Sequence, residues 1–214
     1  MRLARFDLAM TGTRGLPARA QRGPHNVSEM ILKLLGDIPR SRRHASPAPE
    51  NAARALGNSA AAKAAVVSGS LALPPGPLGW LTILPDLYAI WKLQAQLVAD
   101  IAAVYGKTAV LTKEQMLYCL FRHAAAQAVR DLVVRAGDRF IVQRATLKAL
   151  QRAAERVGVK VTQRSVGAAL SRWVPIVGAV GVGAYAYYDT AQVARTAMEL
   201  FSGPIEVEPE MESR

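Results

Sequence analysis

The chain has 214 residues, a hydrophobic fraction of 51% and a formal net charge of +11. This length fits one domain with appendages or two small domains, and the apolar content is sufficient for a substantial core. Cys119 is the only cysteine, which excludes an intrachain disulfide and favours a reducing compartment. The N-terminal residues lack the uninterrupted apolar segment of a secretory signal.

Alanine is abundant and long polar/apolar alternation is missing, so the sequence predicts an all-α helical bundle. Residues 1–50 are rich in Gly, Pro and Arg and predict a flexible basic arm, in which only Val27–Leu35 has a short helical pattern. The folded helical domain is predicted over residues 51–205. Residues 206–214 predict a disordered acidic tail.

Two uncharged segments, Ala64–Pro85 and Trp173–Tyr188, are the most unusual feature of the sequence. Proline cannot continue a helix, so Pro74–Pro77 divides the first segment into halves of about 15 Å of helix, too short to span a bilayer. Gly178, Gly181 and Gly183 punctuate the second segment. Both segments therefore predict apolar helical hairpins that either enter the membrane or form a soluble core.

Capping signals define several helices. Asp86 is a candidate N-cap for a helix that ends at Gly106. Thr112 begins a Thr-Lys-Glu-Gln capping box, which predicts a helix to about Gly137. Asp189, or the threonine that follows it, is predicted to cap a last helix that stops before the Gly-Pro pair at residues 203–204.

A basic face is predicted on the helix over residues 144–157, which is expected to end at the next glycine. At 100° per residue, four cations share one third of its circumference: Arg144, Lys148, Arg152 and Arg156. Such a face can contact anionic lipid headgroups, an acidic partner or nucleic acid, or it can simply be solvated.

Trp80 and Trp173 border the uncharged segments and are candidates for lipid or partner contact. Amphipathic aromatic residues favour membrane interfaces, and they also serve as core residues with a hydrogen-bonded tip.

Cys119 and His123 are the candidates for chemistry, because residues four apart on a helix share a face. A thiolate nucleophile beside a histidine is one interpretation. A buried cysteine with a structural histidine is the commoner arrangement. No Walker motif, complete dinucleotide fingerprint or metal signature occurs, so we predict no cofactor and no metal.

Four stretches resemble the EcsC-like family of bacterial proteins: Leu73–Pro77, Leu84–Leu87, Gln96–Gly106 and Arg172–Gly181. The resemblance covers about Asn51–Phe201, and the pattern is also similar to domains attached to some bacterial membrane GTPases. It implies a helical domain of unestablished biochemical role, whose namesake is similar to a protein encoded beside an ABC transporter. It brings no catalytic residues to transfer.

The leading hypothesis is a protein at the cytoplasmic face of the inner membrane, peripheral or anchored by a hairpin. Its partner would be anionic lipid or a membrane protein complex, and an enzymatic role is not favoured. A hydrolase that uses the Cys/His pair and a nucleic-acid-binding helical protein are the alternatives, although no helix-turn-helix signature supports the second. The oligomeric state stays open.

Overall fold

The computed structural model describes residues 18–71, 79–169 and 175–209, and within them the side chains other than those of residues 18–25, 71, 79–86, 110, 164–169 and 175–179. The described helices are α1 (Ala18–Gly36), α2 (Pro49–Leu71), α3 (Gly79–Val104), α4 (Lys113–Val129), α5 (Leu147–Ala169) and α6 (Pro175–Ser202). The described strands are β1 (Val133–Ala136), β2 (Arg139–Gln143) and β3 (Ile205–Glu208). The predominantly helical prediction is confirmed, with a small sheet added to it.

α1 lies in the region predicted as a flexible arm, and the structure differs from that prediction. Its apolar residues recur at helical spacing and four of them are buried in the main core: Val27, Ile31, Leu34 and Leu35. Burial of these side chains stabilises a helix that its local sequence signals only in part.

α2 and α6 form an antiparallel pair that is the most extensive helix contact in the described chain. The two backbones approach closely at glycines. A Cβ on Gly57 would lie 2.8 Å from the Ala194 Cβ, and a Cβ on Gly183 would lie 3.0 Å from the Ala65 carbonyl oxygen. Glycine therefore permits a helix separation that any larger residue would obstruct.

α6 corrects the prediction for the second uncharged segment. It runs without interruption from Pro175 to Ser202, through the three glycines, and ends before the Gly-Pro pair as expected. Asp189 and Thr190 are in its middle and do not cap a helix. The predicted turn at Pro74–Pro77 lies outside the described residues.

α3 and α4 form the centre of the bundle. α3 begins at Gly79, so the N-cap prediction for Asp86 is wrong, but the helix stops before Gly106, whose φ of +71° is the left-handed conformation expected there. The capping box at Thr112 is confirmed at the start of α4. Phe121 of α4 is buried against Trp91 of α3 in an edge-to-face contact, with ring centroids 5.2 Å apart.

The first strand of a three-stranded sheet replaces about the last third of the helix that was predicted to reach Gly137. α4 ends at Val129, and β1 and β2 form an antiparallel hairpin whose turn contains Gly137 at φ +66°. β3 pairs parallel to β2, so Glu206–Glu208 is a strand and not part of a disordered tail. Phe140 and Val142 of β2 join the main core.

Candidate functional site

α5 presents a row of cations that we name the cation row: Lys148, Arg152, Arg156 and Lys160. All four side chains are exposed. Residues four apart on a helix are neighbours, so the row is continuous and about 18 Å long. The structure thus places three of the four predicted basic residues on one exposed face, adds Lys160, and leaves Arg144 in the exposed segment just before the helix.

The charge of the cation row is uncompensated. Within the described residues, none of its four side chains has an ion-pair partner, whereas other arginines do: Arg54 pairs with Glu50, and Arg122 with Glu199. Glu155 is the one acidic residue of α5. An unpaired row on a packed helix produces a localised positive potential that attracts anions.

α5 also exposes two apolar residues, of which only Val159 lies on the face of the cation row. Leu147, at the start of α5, is 67% exposed, and Val159 is 42% exposed. At 100° per residue, Val159 lies between Lys148 and Arg152 around the helix, and along the helix it lies beside Lys160 at the C-terminal end of the row. The outer face of α5 therefore combines four cations with one apolar side chain.

A second group of exposed apolar residues lies where the end of α2 meets the beginning of α6. Val66 is 71% exposed, Val180 is 69% exposed and Tyr188 is 60% exposed. They lie within about two helical turns of the Gly183 contact with α2. The side chain of Trp80, in the first turn of α3, and the whole of Trp173 lie outside the described residues, so their predicted contacts stay predictions.

Cys119 is fully buried in the main core. Burial strongly raises the pKa of its thiol, because the apolar surroundings disfavour the thiolate. Nucleophilic cysteines instead have a lowered pKa and some exposure to solvent. The geometry therefore favours the structural interpretation of Cys119 over the thiolate nucleophile.

His123 belongs to a polar cluster between α3, α4 and α6. Its Nε2 lies 2.6 Å from Asp189 Oδ1, and Gln94 Nε2 donates to Asp189 Oδ2 at 2.7 Å and to Thr190 Oγ1 at 3.1 Å. Gln94 and Thr190 are fully buried, and the side chains of His123 and Asp189 are 14% and 16% exposed. Asp189, which the sequence suggested as a cap, therefore connects three helices.

The polar cluster orients His123 more than it activates any nucleophile. Asp189 Oδ1 is the partner of Nε2, and the other ring nitrogen, Nδ1, has no partner among the described residues. α4 is kinked at Ala125, whose φ of −144° and ψ of 49° are not helical. No group of three side chains suited to a metal occurs in the described part of the chain. The cluster thus fixes how the helices pack.

None of the helices in the described ranges is long and apolar enough to cross a membrane. The family model described as the EcsC protein family matches residues 50–202, from the start of α2 to the end of α6. The curated proteins gave no match, and neither did the solved structures. The match includes α5 and the polar cluster and begins after α1.

Proposed function

This chain belongs to the EcsC protein family, and from that premise we propose that it acts at an anionic membrane surface, which α5 contacts through the cation row. The observation that carries the proposal is the absence of acidic partners for four neighbouring exposed cations in the described chain. Lipid phosphates would supply the missing counter-charge.

The expected strength of this contact follows from the number of cations. Each basic residue near an anionic leaflet contributes about 1 kcal/mol, so the row contributes about 4 kcal/mol. Since about 1.4 kcal/mol corresponds to a tenfold change in affinity, the row would raise membrane partitioning by about three orders of magnitude. The attraction decays within a Debye length of about 8 Å at physiological salt, so α5 must lie close to the lipid.

Apolar contacts would supplement this attraction. Val159 lies on the face of the row and would enter the headgroup region, as apolar side chains of interfacial helices do. The exposed residues at the junction of α2 and α6 offer a second contact. Salt would release a protein held by the row alone, whereas detergent would be needed if the uncharged segments enter the acyl layer.

The test is flotation of the full chain with vesicles of phosphatidylglycerol and of phosphatidylcholine. We expect binding to the anionic vesicles, decreasing steeply with salt. The charge-reversal variant replaces all four residues of the cation row by glutamate. The matched control makes the same four changes at dispersed exposed positions: Arg42, Lys63, Lys92 and Lys113.

The row variant should lose binding while the control keeps most of it, because the two proteins have the same net charge and differ only in its placement. An equal loss of vesicle binding in both variants would mean that net charge alone determines binding, and it would contradict the proposal. Retention on DNA or RNA without any vesicle binding would favour the nucleic-acid alternative, with its steep salt dependence.

A further inference from the structure

A cleft of about 1070 Å³ runs along the α2–α6 pair. It lies where the two helices come closest, and small residues of both helices line its middle: Gly57, Ala191 and Ala194. On α6 the lining extends from Tyr187 to Ser202, which corresponds to about 22 Å of helix. None of the residues that line the cleft belongs to the cation row.

The two carboxylates that line the cleft are already paired with arginines. Glu50 Oε1 accepts from Arg54 Nη2 at 2.5 Å. The two oxygens of Glu199 accept from Arg122 at 2.6 Å and from Arg135 at 3.0 Å. Because both acidic side chains have their counter-charge within the chain, the cleft is poorly suited to a cationic ligand.

Arg195 differs from the other charged residues of the cleft. Its side chain is exposed and has no ion-pair partner among the described residues. Because Gly57 lies against Ala194, the next residue on each helix, Asn58 and Arg195, are within about 3 Å of the same level along the cleft. A guanidinium group binds a carboxylate or phosphate through two parallel N–H groups, and a carboxamide can donate a further N–H.

The part of the cleft beside Arg195 suits an apolar group. Tyr187, Ala191 and Arg195 follow one another at intervals of four residues, so they lie in line along α6 over about 12 Å. Tyr187 is 44% exposed, and the small side chain of Ala191 leaves space between it and Arg195. A ligand with its charge on Arg195 would therefore have an apolar surface beside it.

We infer that the cleft binds an amphiphilic monoanion, a carboxylate or phosphate joined to an apolar body about 12 Å long. The anionic group would pair with Arg195 and accept from Asn58, and the apolar body would lie on Ala191 against Tyr187. Small-molecule sites combine an apolar lining with a few placed polar groups in the same way. The inference uses other residues than the cation row and does not depend on the membrane contact.

The test compares two fluorescent probes of similar shape: anilinonaphthalene sulfonate, which carries an anionic group, and phenylnaphthylamine, which lacks it. Both are titrated into the full chain and into folded variants, with folding checked by circular dichroism. Arg195→Gln removes the unpaired charge, and Ala191→Trp fills the middle of the cleft. Arg42→Gln is the matched control, because Arg42 is also exposed and lies outside the cleft.

We expect one sulfonate probe to bind per chain, with an affinity at least about tenfold weaker in Arg195→Gln and unchanged in Arg42→Gln. The affinity for phenylnaphthylamine should be the same in these three proteins. Ala191→Trp should abolish binding of both probes. Asn58→Asp, which places a carboxylate beside Arg195, should weaken the sulfonate probe alone and serves if the tryptophan variant does not fold.

The inference would be overturned if Arg195→Gln bound the sulfonate probe as tightly as Arg42→Gln does, or if neither probe bound. Binding that neither Ala191→Trp nor Asn58→Asp weakens would also overturn it. Competition then distinguishes the two sources of such an anion. Displacement of the sulfonate probe by decanoate would indicate a soluble acid, displacement by lysophosphatidylglycerol alone would indicate a lipid, and displacement by neither would contradict the inference.

Discussion

Replacing Asp189 by asparagine perturbs the polar cluster at its centre while keeping the shape of the side chain. The carboxylate accepts on both oxygens, from His123 Nε2 at 2.6 Å and from Gln94 Nε2 at 2.7 Å. An amide offers one acceptor and one donor, so one of the two neighbours would meet an N–H group instead of an oxygen. Gln94 is fully buried and cannot turn to water.

The size of the effect follows from these contacts. Hydrogen bonds to a charged group contribute about 1.5–3 kcal/mol each, and a buried donor left without an acceptor costs about 1–3 kcal/mol. Asp189→Asn should therefore lower the free energy of unfolding by about 2–3 kcal/mol. Asp189→Ala, which removes both acceptors, should cost about 3–5 kcal/mol, the range found when one partner of a buried pair is removed.

Urea unfolding followed by circular dichroism measures both variants, with Asp131→Ala as the control. Asp131 also pairs with an arginine, at 3.2 Å, but its side chain is 72% exposed, so its loss should cost less than about 1 kcal/mol. A double-mutant cycle with His123→Ala isolates the pair, and we expect a coupling energy above about 1 kcal/mol. This account of the cluster would be refuted if Asp189→Ala lowered the free energy of unfolding no more than Asp131→Ala does. It would also be refuted if the effects of Asp189→Ala and His123→Ala were additive.

Three further predictions test other parts of the fold. Gly57→Ala should destabilise the protein by about 1–3 kcal/mol, because its Cβ would lie 2.8 Å from the Ala194 Cβ. Gly181→Ala has open space around it and should stabilise the protein by about 0.5–1 kcal/mol. Thermal unfolding compares the two variants. Thr112→Ala should cost about 1 kcal/mol in urea unfolding through loss of the capping box, and Thr112→Ser should restore most of it. Burial raises the pKa of the Cys119 thiol, so the unfolded thiol ionises first as pH rises. The free energy of unfolding should fall above about pH 8.5 by up to about 1.4 kcal/mol per pH unit, and Cys119→Ala should remove that slope.

Local signals predicted the parts of the fold that local interactions determine. The capping box at Thr112 and the stop at Gly106 need only a few neighbouring residues, and both are confirmed. The exposed face of α5 follows from helical periodicity alone. The hairpin after α4 also has a local signal, because β-branched residues flank a Gly-Asp pair at residues 137–138, although the capping box predicts a longer helix over the same residues.

Long-range packing determines the parts that the sequence did not reveal. α1 is held by anchors such as Ile31 that find their partners only in the folded bundle. Asp189 has the residue type and position of a helix cap in the sequence. It is the centre of a polar cluster because His123 and Gln94, from two other helices, pack against it in the folded bundle. Gly183 is tolerated within α6 because α2 lies against it.

The contact between α5 and an anionic bilayer can be measured most directly with a spin label on the face of the cation row, beside Lys160. The label is placed by Val159→Cys in a Cys119→Ala background, with Ala55→Cys on the exposed face of α2 as the control. On phosphatidylglycerol vesicles, we expect the label at residue 159 to gain contact with oxygen and lose contact with a water-soluble nickel chelate, while the label at residue 55 is unchanged. Equal behaviour of the two labels on vesicles that bind the protein would contradict the role of the cation row.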